Sequence, residues 1–235
     1  MSSATGVNNK KIVQEKLSTT MVKICGITNL ADALAARTAG ADALGFNFYP
    51  RSPRFIEPAQ ARQIIAQLPP GVLTVGVFVN EAEPAHVAAL AKTAGVTAIQ
   101  LHGDESPEYC RSVAAHRALP FVIKAIRTDA QFTPEQALRY REHFILLDAY
   151  SPQAHGGTGL VCDWSLARRT CELMPRLFLA GGLTPENIGA AIAEVRPFAV
   201  DVCSGVESAP GVKDLAKVRA FLAAARAADE GVRSE

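Results

Sequence analysis

No two cysteines in this chain are spaced Cys-x-x-Cys, and no His-x-His lies near any of the five, Cys25, Cys110, Cys162, Cys171 and Cys203. Odd in number and scattered, they argue against a disulfide framework and against structural zinc. No segment approaches the roughly 20 consecutive apolar residues that span a bilayer. The first twenty residues, MSSATGVNNKKIVQEKLSTT, hold no apolar run able to serve as a signal-peptide core. The expectation is a cytoplasmic protein with no membrane partner. An excess of either charge is missing too: 24 Lys and Arg against 23 Asp and Glu leave +1, so no strong field draws nucleic acid. The dinucleotide fingerprint Gly-x-Gly-x-x-Gly is also absent, because CGITNL after the first apolar run offers a single glycine. These absences leave a small molecule as the expected partner.

What the chain does have is one rhythm. Short apolar or β-branched runs recur as MVKI, ALGF, LTVGVFV, AIQL, FVIKA, FILLD, LFLA and FAVDV. Between most of them lies helical spacing: Val87, Leu90, Ala91 and Ala94 fall at i, i+3, i+4 and i+7, and Ile188, Ala191, Ile192 and Val195 repeat the set. Asn29, Thr133 and Thr184 stand where helix N-caps belong, the latter two followed by Pro134 and Pro185 as first helical residues. Eight strands alternating with eight helices imply parallel pairing through right-handed crossovers. The expected fold is therefore a single α/β domain, a parallel eight-stranded (β/α)8 TIM barrel, and 235 residues suit a fold that typically takes about 250. The barrel is expected over residues 21–228, with 1–20 a loosely ordered N-terminal extension and 229–235 a C-terminal tail.

Barrel active sites lie at the C-terminal ends of the strands. Those positions read Cys25, Asn47, Asn80, His102, Arg127, Asp148, Gly181 and Asp201 with Ser204, whereas the turns at the other end are mainly Ala, Gly and Pro. After the seventh and eighth strands, AGGLTPENI and DVCSGVES place Gly181, Gly182, Ser204 and Gly205 where backbone N–H groups can receive a phosphate. GGTG, with Gly157, follows the sixth strand and can close over the same ligand.

Cys25 ends the first strand, and strand alternation puts Lys23 on the same side. A nearby cation lowers a thiol pKa and supplies the thiolate that a proton-abstracting base requires. In a closed barrel the eighth strand neighbours the first, so an ion pair of Lys23 with Asp201 is expected beneath Cys25. Asp148, across the barrel, suits the complementary general acid. In the loop NFYPRSPRFIEP, Arg51 or Arg54 can match a substrate carboxylate. His102 reads either as a satisfied strand-end histidine or as a substrate ligand.

The ordered motifs KICGIT, GADALGFNFYPRSPRFI, VGVFVN, IQLHGDE, LLDA, GGTG, LAGGLTPENI and DVCSGVES, spanning most of the chain, resemble the phosphoribosylanthranilate isomerases of tryptophan biosynthesis. The resemblance implies an Amadori rearrangement of N-(5-phosphoribosyl)anthranilate with no cofactor and no metal. It implies Asp148 as the general acid at the ring oxygen, Cys25 as the base at C2 and Arg54 near the anthranilate carboxylate. It also implies a phosphate site in the late glycine loops. A monomer or weak homodimer is expected. Two departures stand out: Cys203 occupies a position where serine is expected in many members, and the segment before Met21 has no counterpart. The alternatives are another phosphate-binding barrel, such as the histidine-pathway isomerase, and a barrel that binds a phosphometabolite without turning it over.

Overall fold

The structure, a computed structural model, describes residues 19–116, 121–149 and 163–233. Among these, eight parallel strands close into a barrel in sequence order: β1 (Met21–Ile24), β2 (Ala43–Asn47), β3 (Leu73–Phe78), β4 (Ala98–Leu101), β5 (Val122–Thr128), β6 (Phe144–Ala149), β7 (Leu177–Leu179) and β8 (Ala199–Val202). Closure is made by β1 against β8, with Lys23 opposite Asp201 and Ile24 opposite Val202.

Outward-facing residues such as Val22, Ile24, Leu44, Ile99, Leu147 and Val200 are buried under helices α1 (Leu30–Thr38), α2 (Pro58–Ile65), α3 (Pro84–Ala94), α4 (Pro107–Ala115), α5 (Trp164–Leu173), α6 (Ile188–Val195) and α7 (Leu215–Arg233). The expected helical faces pack as their spacing requires, with Val87, Ala91 and Ala94 buried on α3 and Ile188, Ala191, Ile192 and Val195 on α6.

The eighth expected helix differs. Between β5 and β6, Pro134–Tyr140 forms a 3-10 helix with no side-chain cap from Thr133. Its tighter winding carries Pro134 and Ala137 onto the barrel within a short crossover. Thr184–Pro185 does not start a helix either. Asn187 Oδ1 accepts from Thr184 N at 2.8 Å and its Nδ2 donates to Gly182 O at 2.9 Å. That side chain fixes a turn, so α6 begins only at Ile188. Asn29 does cap, accepting from Asp32 N at 2.9 Å.

The last helix runs to Arg233, past the boundary expected at residue 228. It grips the start of the barrel: Thr20 N donates to the Asp229 carboxylate at 3.0 and 3.2 Å, and Arg226 donates to Thr20 O at 2.7 Å. Thr20 and Asp229, read from sequence as parts of a loose extension and a tail, are thus joined to each other. No helix among the described residues is long and apolar enough to cross a membrane.

Inside, the barrel is graded from end to end. Met21, Ala43, Leu73, Phe144, Phe178 and Ala199 form an apolar floor. Phe144 contacts the rings of Phe121, Phe178 and Phe198 at 5.2, 6.0 and 5.4 Å between centroids, so the N-terminal mouth is plugged by aromatic packing. One inward step toward the C-terminal end lie Lys23, Gly45, Gln100 and Asp201, and then the polar mouth.

Candidate active site

At that mouth is a cavity of about 490 Å³, lined among others by Cys25, Arg54, His102, Asp148, Asp201 and Cys203. Gly181, Gly182, Ser204 and Gly205 line it as well. Asn80 and Arg127, read as tip residues, are not in this lining. Asn80 Oδ1 instead accepts from Asp104 N at 2.7 Å, and Arg127 pairs with the Asp104 carboxylate. Asp104 thereby pulls both side chains into a brace between the loops of neighbouring strands. The Gly157 loop lies outside the described residues.

Beneath Cys25, Lys23 Nζ donates to Asp201 Oδ1 at 2.9 Å, with Lys23 fully buried and Asp201 nearly so. Burial works against the ammonium, yet the charges and hydrogen bonds of Asp201 and Cys25 hold its pKa above the ordinary lysine value. Burial pushes the Asp201 carboxyl up to about 6 despite its lysine partner.

Cys25 is held well below the ordinary thiol range. A hydrogen bond from Cys203 does most of this, and the nearby Lys23 and Lys213 cations add to it against the opposing effect of burial. Cys203 moves the opposite way, well above the usual range, because of its contact with Cys25 and its partial burial, and its Sγ donates to Glu207 Oε1 at 3.7 Å. Of the two thiols, Cys25 is therefore the one whose surroundings favour the thiolate. Room for it comes from Gly45: a Cβ there would lie 2.7 Å from Cys25 Sγ, closer than real Cβ contacts come, and a tight 3.1 Å from Lys23 Nζ.

Arg54 is braced rather than solvated. Its Nε donates to Glu207 at 3.0 Å and its Nη2 at 2.7 Å, and Lys213 Nζ donates to the same carboxylate at 2.9 Å. Against burial, Arg54 and Lys213 hold the Glu207 carboxyl below its usual pKa. One carboxylate among two cations leaves the cluster with a net positive charge at the wall of the cavity, suited to an anionic group. Arg51 also lines the cavity but is exposed.

Opposite, His102 Nε2 lies 3.2 Å from Asp148 Oδ2, off the line of an ideal hydrogen bond. The imidazole is oriented from behind by Gln100, whose Nε2 is 2.8 Å from His102 Nδ1. An amide N–H there donates, which leaves the ring proton on Nε2, facing the carboxylate. Gln100, buried on β4, was not singled out from sequence. Its signal was only the polar inward residue of AIQL.

At the far wall, Gly181 and Gly182 have φ of 85° and 64°, backbone that glycine adopts without strain. Gly205, in a 3-10 turn over Ser204–Val206, packs so tightly on the β7 loop that a Cβ would strike Leu183 O. The two loops expected to hold phosphate are thus in contact beside the thiolate.

Fold and site together define a (β/α)8 barrel enzyme with a thiolate, a carboxyl group and an anion-suited wall in one cavity. Residues 22–224 match the family described as N-(5'phosphoribosyl)anthranilate (PRA) isomerase. The N-(5'-phosphoribosyl)anthranilate isomerase of Trichlorobacter lovleyi is 51% identical over 207 residues, covering 88% of this chain and 98% of its own. The crystal structure of phosphoribosyl anthranilate isomerase from Thermotoga maritima superposes with a TM-score of 0.82 at 48% identity, covering 89% of this chain and all of that one. A phosphoribosyl anthranilate isomerase in complex with reduced 1-(o-carboxyphenylamino)-1-deoxyribulose 5-phosphate superposes at 0.79 with 47% identity, over 89% of this chain and 100% of that one. The chain belongs to the phosphoribosylanthranilate isomerase family.

Proposed function

We propose that this chain isomerises N-(5'-phosphoribosyl)anthranilate to 1-(2-carboxyphenylamino)-1-deoxyribulose 5-phosphate, with Asp148 as general acid and Cys25 as general base. The observation that carries the reading is the electrostatic asymmetry of the mouth. A thiol whose pKa is held well below the ordinary range, just after β1, faces the same cavity as a carboxyl group on β6, with β7 and β8 between them.

Asp148 gives a proton to the furanose ring oxygen as the C1–O bond breaks, and the anthranilate nitrogen lone pair forms the C=N bond of an iminium. The Cys25 thiolate then removes the C2 proton, and the released pair forms C1=C2 and neutralises the iminium nitrogen. The resulting enolamine takes a proton at C1 while its C2 hydroxyl gives one up, and becomes the ketone. The iminium acidifies C2, so a base of near-neutral pKa suffices, and such a base typically contributes about 10²- to 10⁴-fold. His102 keeps the acid's carboxyl group oriented through its Nε2 side. Arg54, fixed by Glu207, receives the anthranilate carboxylate, and Gly181, Gly182, Ser204 and Gly205 receive the phosphate. Support for these ligand roles comes from the related isomerase that holds a reduced product analogue carrying both groups.

We further read the protein as a cytoplasmic enzyme, a monomer or weak homodimer, whose barrel domain works on a phosphorylated small molecule. The test is the decay of anthranilate-adduct fluorescence with freshly made substrate, corrected for spontaneous hydrolysis, in wild type, Cys25→Ser and Asp148→Asn. Fast decay with severe loss in both folded variants is expected. Conversion that survives both substitutions would overturn the acid–base assignment.

A further inference from the structure

We propose that Cys25 and Cys203 form a modification site, at which a hydroperoxide oxidises the two thiols to a reversible disulfide across the β1–β8 seam. The register carries the argument. Ile24 lies opposite Val202, and Cys25 N donates to Val202 O at 2.8 Å. Cys25 and Cys203 follow directly past the ends of the two strands and line the same cavity, above Lys23 and Asp201, whose side chains meet at 2.9 Å. Neighbouring parallel strands run about 4.8 Å apart, within the Cα separation of about 4.4–6.8 Å that a disulfide bridges. A Cβ on Gly26, the residue after Cys25, would lie 2.9 Å from Cys203 Sγ. The β8 sulfur thus already rests against the β1 chain.

Chemistry and access favour the same pair. Both cysteines are half-buried and line the open cavity, so a small oxidant reaches them by the substrate's route. Cys25 has the thiolate character that peroxide attack needs, and Cys203 is a neighbouring thiol able to resolve the product. Cys110, by contrast, is fully buried, and burial pushes its thiol up to about 12.

In the first step the Cys25 sulfur attacks a peroxide oxygen. An S–O bond forms, the O–O bond breaks, and the departing oxygen takes a proton, leaving a sulfenic acid. Cys203 sulfur then attacks the Cys25 sulfur, S–S forms, S–O breaks, and hydroxide leaves with the Cys203 proton as water. With hydrogen peroxide the sum is two thiols oxidised by two electrons and one peroxide reduced to two waters. The disulfide removes the proposed base from the cavity until a dithiol reduces it. The loss of activity rests on Cys25 being that base, but formation of the cross-link does not, so the two ideas fail separately.

The test treats the reduced full-length chain with hydrogen peroxide and maps its peptides without reductant. A peptide joining Cys25 to Cys203, a fall in titratable thiols from the five in the chain by two, and loss of activity recovered with dithiothreitol are expected. In Cys203→Ser the same peroxide should leave Cys25 as sulfinic acid, with no recovery. Unlinked Cys25 and Cys203 peptides in peroxide-treated wild type would overturn the proposal, as would equal recovery in Cys203→Ser. If that variant does not fold, the wild-type map decides alone.

Discussion

Replacing Lys23 with methionine removes a fully buried cation from a carboxylate that burial has already pushed up to about 6. An unpaired buried carboxylate is costly, so in Lys23→Met the Asp201 carboxyl keeps its proton to higher pH. The consequence for stability is a slope. From the ordinary carboxylate value of 3.8 up to about 6, Asp201 binds a proton in the folded wild type but not in the unfolded chain, so its contribution to stability falls as pH rises. Above about pH 6 the wild-type contribution levels off, while that of Lys23→Met keeps falling by about 1.4 kcal/mol per pH unit. Between about pH 6 and about pH 8 the gap between the two proteins should therefore widen by about 3 kcal/mol. Below about pH 6 it should be nearly constant. Urea unfolding at several pH values measures this, in a Cys25→Ser background so that the thiolate's own titration does not enter. Without the thiolate charge the break should fall slightly lower in pH. Adding Asp201→Asn to Lys23→Met should abolish the extra slope. A gap that stays flat from about pH 6 to about pH 8 would refute the claim that Asp201 depends on Lys23 for its charge.

Two further expectations concern residues that position the reacting groups. Gly45→Ala would place a Cβ 2.7 Å from Cys25 Sγ. Displacing the thiolate by a fraction of an ångström should cut kcat by about 10²-fold with little change in KM, and steady-state kinetics showing unchanged kcat would remove Gly45 from the argument. Gln100→Leu should lower kcat about tenfold by freeing the His102 tautomer. Gln100→Glu should instead draw the proton to Nδ1 and alter the acidic limb of the kcat–pH profile, whereas identical profiles in both variants would show that Gln100 only fills space.

The parts of the site that could be read in the sequence are those governed by strand parity and ring closure. Lys23, Cys25 and Asp201 came together because alternation fixes which side chains face inward and closure makes β1 and β8 neighbours. Residues whose role depends on a partner in another loop could not be read this way. Glu207 fixes Arg54 from 153 positions away, and Asp104 turns Asn80 and Arg127 aside. Nothing in the local sequence of either carboxylate announces its partner. Gly45 could not be singled out within ALGF, because its purpose is the space it leaves for atoms of another strand. The start of α6 was misplaced for a similar reason: the Thr-Pro pair is a sound helix signal until the Asn187 side chain claims the Thr184 amide.

The Lys23–Asp201 contact joins residues 178 positions apart, so it forms only when the two ends of the barrel meet. Contacts of such separation carry the largest loop-closure cost and are typically late in folding. Until the seam closes, Cys25 lacks the ion pair below it and Cys203 beside it, and it remains an ordinary thiol. The chain's reactive group is therefore silent throughout its assembly. Thiolate character appears only with the finished ring, which makes the reactivity of Cys25 a built-in reporter of whether the barrel has closed.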